Sequence, residues 1–116
     1  MMKNKERDLF LTGERWTISI VDSHDSSLIC EGAVSRGCTW PAKHAIYLSN
    51  ELDERTFRRV LTHELTHAFL FATQIEEFET FNEEQVCELV AIWGPEIIKT
   101  TNMLLNWGLE YDSKEM

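Results

Sequence analysis

The chain is predicted to be a small α+β domain. Short alternating, β-branched segments occupy its first half, long helix-patterned segments its second, and a histidine–glutamate motif lies on the first of the helices. Trp16-Thr17-Ile18-Ser19-Ile20-Val21 alternates and reads as a strand. Asp22 to Ser27 is polar and turn-like, and Leu28 to Val34 is a candidate second strand. Gly32, Gly37 and Pro41 then interrupt the chain and leave the pairing there open. Ala45-Ile46-Tyr47-Leu48-Ser49 is the clearest strand, giving an antiparallel or mixed sheet of about three. A helix begins after Asn50, or after Leu52 with Asp53 as its cap, and runs to about Ala72 or Thr73. Gln74 to Phe81 connects it to a glutamate-bearing helix capped by Asn82, with Val86, Leu89, Val90 and Trp93 as its apolar stripe and Gly94 as its stop. Pro95 suits the first turn of a C-terminal helix reaching about Trp107.

The 116 residues are expected to form one domain over 1–116, 43% hydrophobic and 27% charged. Eleven basic and twenty acidic residues give a net charge of -9, which argues against nucleic acid and anionic membranes as partners. No apolar run is long enough for a signal peptide or a span, so a cytoplasmic location is the expectation. Cys30, Cys38 and Cys87 are odd in number and lack a CxxC pair, which points to reduced thiols. Between Val60 and Ile98 there are eight glutamates and no lysine or arginine. That acidic run brackets the histidine pair and makes a bound cation worth considering.

His63-Glu64-Leu65-Thr66-His67 is an HExxH motif. Residues four apart share a helix face, so both imidazoles can meet one Zn2+ ion, with Glu64 placed to activate a zinc-bound water as its general base. Burying such a patch in an apolar helix costs energy unless a cation compensates it. A third ligand is required, and His67 is the last histidine of the chain. The HExxHxxGxxH extension is absent, because Leu70 and Thr73 stand where it needs glycine and histidine. His24 and His44 read better as surface residues. Glu84 and Glu88 lie four apart on the second helix. If that helix folds back antiparallel to the first, Glu84 completes the shell and Glu88 accepts a hydrogen bond from a ligand imidazole. The reverse assignment competes, as does Glu83, and Cys87 reads as a small apolar-stripe residue rather than a thiolate ligand.

HExxH followed by Glu84-Gln85-Val86-Cys87-Glu88 resembles the gluzincin metallopeptidases, whose second helix carries ExxxD; a glutamate stands where that family often has aspartate. The size resembles the one-domain minigluzincins and the phage- or mobile-element-borne ImmA/IrrE-like peptidases, over about residues 44 to 94. The resemblance implies zinc on His63, His67 and Glu84, Glu64 as catalytic base, Glu88 orienting a histidine, and a strand before the active-site helix that pairs with an extended substrate. The interval from His67 to Glu84 is short for the larger gluzincins, and Tyr47, Tyr111 and His44 are the candidates for stabilising an oxyanion. The expected function is zinc-dependent hydrolysis of a peptide bond in a protein or peptide substrate, with a peptide held along residues 45–49. The alternative is a catalytically silent, zinc-stabilised protein-binding module acting as a phage or mobile-element regulator.

Overall fold

A computed structural model describes residues 1–73 and 82–109; the predicted connection over 74–81 and Tyr111 lie outside these. The architecture is α+β, a four-stranded mixed sheet followed by two helices. Strands β1 (Lys5–Leu11), β2 (Glu14–Val21), β5 (Gly37–Trp40) and β6 (Ala45–Ser49) form the sheet in the order β1-β2-β6-β5. β1 pairs antiparallel with β2, β2 parallel with β6, and β6 antiparallel with β5.

β1 is a strand that the sequence reading omitted. Lys5, Arg7, Leu9 and Leu11 alternate on its inward side, the two leucines buried, while Glu6, Asp8 and the 70% exposed Phe10 take the outer positions. The charges disguised an alternating pattern. A two-residue turn joins it to β2, and both Thr12 and Gly13 have positive φ, the geometry that matches the twist of a tight hairpin.

The predicted strand over Leu28 to Val34 is instead a 3-10 turn, Ser26–Leu28, followed by the miniature hairpin β3 (Ile29–Cys30) and β4 (Ala33–Val34). Leu28 is fully buried, and Trp40 Nε1 donates to the Ser27 carbonyl at 2.8 Å, tying this excursion to β5. Cys30 and Cys38 are joined by a disulfide, contrary to the reduced thiols expected, and Cys87 is free and exposed. Sequence spacing concealed the pair because β5 itself was not anticipated.

Helix α1 (Glu54–Ala72) begins where the Asp53 carboxylate accepts from the Thr56 N–H at 2.7 Å. That bond and the Thr56 hydroxyl hold the Asp53 pKa below its ordinary value. Its buried face, Phe57, Leu61, Leu65, Ala68 and Phe69, covers Ile18, Ile20, Ile46 and Leu48 of the central strands. Helix α2 (Glu83–Leu109) is continuous through Gly94 and Pro95, so the predicted glutamate-bearing and C-terminal helices are one element. Proline removes one helical hydrogen bond and disfavours a helical residue before it, but the glycine before this one has no Cβ to clash.

α2 lies antiparallel to α1: Phe57 meets Gly108, the Thr62 and Thr101 hydroxyls are 3.5 Å apart, and Phe69 packs on Trp93 at 5.7 Å. Gly108 permits this approach, because a Cβ there would sit 2.5 Å from the Phe57 ring. The buried residues of α2 all lie in its C-terminal half: Ile97, Thr101, Leu104, Leu105 and Gly108.

Candidate metal centre

α1 places the HExxH motif across the boundary between its buried and its open face. Glu64 falls on the buried side and is 7% exposed, whereas His63 and His67 stand on the rim. The two Nε2 atoms are 3.2 Å apart. Two ligands held about 2.0–2.1 Å from a tetrahedral zinc are separated by roughly 3.3 Å, so the imidazole pair is spaced as such an ion requires. Glu64 Oε2 lies 4.0 Å from His63 Nε2, next to the pair but not competing with it for the same point.

The second contribution to the site comes from β5. Thr39 Oγ1 donates to Glu64 Oε1 at 2.7 Å, fixing one carboxylate oxygen and leaving the other toward the histidines. The strand approaches this closely because Gly37 stands opposite α1: a Cβ there would lie 2.7 Å from Val60 Cγ1 and 3.0 Å from Glu64 Cγ. Thr39 is 25 residues before Glu64, and no local pattern marks it.

An open cleft of about 860 Å³ runs along this junction. His63, Glu64 and His67 line one wall, and Gly37, Thr39 and Trp40 form the strand side. The outer wall includes Cys30 and Glu31 of the hairpin, which the disulfide fastens to β5. β5, not β6, is the sheet edge here. Residues 45–49 are paired on both sides and cannot take an added strand, which corrects the peptide-pairing role expected of them. A larger groove of about 1200 Å³, between the N-terminus and the C-terminal half of α2, is lined by no histidine or cysteine among the described residues.

Glu84 and Glu88 are not brought to the histidines. Both are exposed on the first turns of α2, and among the described residues no group of three or more histidine, cysteine or acidic side chains is arranged to hold a metal. The helix register explains this. Pairing of Phe69 with Trp93 sets His67 level with about residue 95, which leaves Glu84 roughly 16 Å farther along the axis and Glu88 roughly 10 Å. Glu83 and Cys87 are also exposed on this stretch. His24 is exposed beside Asp22, and His44 stacks on Trp16 with centroids 4.7 Å apart, so neither is part of the centre.

A mixed sheet, a helix laid across it carrying HExxH, and an edge strand touching the motif's glutamate define a small zincin-like domain. The model of the IrrE N-terminal-like domain, a peptidase family, matches residues 29–93, more than half of the chain, and the protein belongs to this family. No curated protein and no solved structure gave a significant match. Among the described residues, no helix is long and apolar enough to cross a membrane.

Proposed function

We propose that this protein is a zinc-dependent peptidase that hydrolyses a peptide bond in a protein or peptide substrate. The observation that carries the reading is the convergence of His63 and His67 at 3.2 Å beside a buried, hydrogen-bonded Glu64. Membership of a peptidase family supports it. His63 and His67 would hold the ion, which supplies Lewis-acid polarisation of the scissile carbonyl when bound. Glu64, steadied by Thr39, takes the proton of the attacking water and delivers it to the leaving amine. The peptide lies along the free edge of β5, where main-chain groups remain available for β-augmentation.

Glu84 is the proposed third ligand, with Glu88 orienting an imidazole. For that, the exposed N-terminal part of α2 must swing toward the histidines, and Gly94–Pro95 is the place where the helix yields most easily. The test is Glu64→Gln: hydrolysis of a substrate protein should fall by about 10²–10⁴-fold while fold and zinc content persist. Cleavage at the wild-type rate would refute the role of Glu64.

A second reading has its own support. The carboxylates of α2 stand apart from the histidines, and Val86, Val90 and Ile92 are exposed beside them. A zinc-stabilised protein-binding module of the IrrE-like regulatory kind would hold a partner through this surface without cutting it. Such a module would be indifferent to Glu64→Gln.

A further inference from the structure

The cleft is chemically uneven along its length. β5 and α1 run past each other in the same sense, because Gly37 lies against Val60 and Glu64 while Thr39 reaches Glu64. Beyond the histidines both elements turn apolar: α1 continues into Leu70 and Phe71, and β5 ends at Trp40, with Pro41 next in the chain. Ile29 of the hairpin faces them from the outer wall, 44% exposed and next to the bridged Cys30. Leu70, Phe71 and Trp40 are only half-buried, so this end of the cleft presents apolar surface to an incoming group. These walls are fixed. Trp40 is held by its bond to Ser27, Phe71 packs edge-on against Trp16 and His44, and the disulfide holds the hairpin beside β5.

The neighbouring backbone indicates the kind of molecule that brings the group. The Ser49 N–H donates to the Arg36 carbonyl, and antiparallel strands alternate bonded and non-bonded pairs. Given the register, Cys38 and Trp40 bond inward to β6, whereas the main-chain groups of Gly37 and Thr39 point to the open edge. The Gly37 carbonyl there already accepts from the Ser35 hydroxyl at 2.8 Å. Thr39 therefore offers its N–H and carbonyl to an extended chain one residue before the apolar end begins.

We infer that this end of the cleft is a side-chain subsite, and that the substrate is an extended peptide presenting a bulky apolar residue, aromatic or long aliphatic, on one side of the scissile bond. The inference rests on the cleft being the substrate site. It names a selectivity that the hydrolytic motif alone does not. An acidic side chain is disfavoured there, since it would be desolvated against Leu70, Phe71 and Ile29 with Glu31 on the same wall.

The test reads binding separately from hydrolysis. The full chain is labelled with 15N and titrated with N-acetyl-phenylalanine methylamide, and in parallel with N-acetyl-aspartate methylamide. The expected result is saturable shifts of the Thr39, Trp40, Leu70 and Phe71 amides with the phenylalanine probe, and at least about tenfold weaker binding of the aspartate probe. Ile29→Ser, on the exposed wall, and Leu70→Asn should each weaken the phenylalanine probe several-fold. Two variants on different elements guard against one that fails to fold. Equal response to both probes, shifts confined to other surfaces, or no saturable binding would overturn the subsite. If the probe binds as expected but the zinc-loaded protein cuts no member of a peptide library, the subsite stands and the peptidase reading fails. If it cuts without enrichment of apolar residues beside the cut, the subsite is wrong and the peptidase reading stands.

Discussion

The two halves of α2 carry opposite chemistry. From Ile97 to Gly108 the helix buries five positions against α1 and the sheet. From Glu83 to Ile92 it exposes Glu84 and Glu88 together with Val86, Val90 and Ile92. Pro95 and the glycine before it mark the border. The C-terminal half is held by packing and fixes the helix register. Among the described residues the N-terminal half buries no side chain fully, and it carries the carboxylates proposed as ligands. The histidine pair is thus positioned by the core, whereas the proposed carboxylate ligands sit on a stretch with no fully buried side chain among the described residues.

This contrast can be broken experimentally. The largest stability effect is expected in the packed region: Leu61→Ala or Leu104→Ala, each fully buried, should cost about 2–5 kcal/mol in denaturant unfolding. Gly108→Ala drives a methyl into the Phe57 ring and should cost about 1–3 kcal/mol by the same measurement. In the exposed half, Val90→Ser should stay within about 0.5 kcal/mol of wild type, because the side chain is 59% exposed. A loss as large as that of Leu104→Ala would show that this face is covered in solution and would dissolve the contrast.

An effect smaller than those in the packed core is expected at the start of α1. Asp53→Ala should lower Tm by a few degrees at neutral pH through loss of the cap. The folded Asp53 pKa is depressed, first by the Thr56 N–H. Its contribution is therefore fully present above the ordinary carboxylate pKa and is lost as pH falls through that range and below it. The Tm gap between wild type and Asp53→Ala should close in that acidic window and stay constant above it.

The sequence disclosed most where periodicity and capping speak locally. The Asp53 cap, the end of α1 near Ala72, the strands around Ile18 and Ile46, and the meeting of His63 and His67 on one helix face all follow from residues within a few positions of each other. What it hid depends on contacts distant in the chain. β1 is masked because Lys5 and Arg7 stand at positions in phase with Leu9 and Leu11, and β5 is four residues long and begins with a glycine that makes room for α1. The Thr39–Glu64 bond and the Cys30–Cys38 bridge both follow from β5. The continuity of α2 was concealed for the opposite reason. Gly94-Pro95 is a sound local stop signal, overridden because Trp93 and Ile97 on either side both pack on the core.

The proposed metal centre joins the histidine pair to a carboxylate from the N-terminal half of α2 around one zinc. Elemental analysis of tag-free wild type and Glu84→Ala tests it most directly. About one zinc per chain is expected in wild type, with a clear loss in Glu84→Ala. Wild-type zinc retained in Glu84→Ala would contradict the assignment of Glu84, and a wild-type chain that takes up no zinc even after add-back would contradict the metal centre itself.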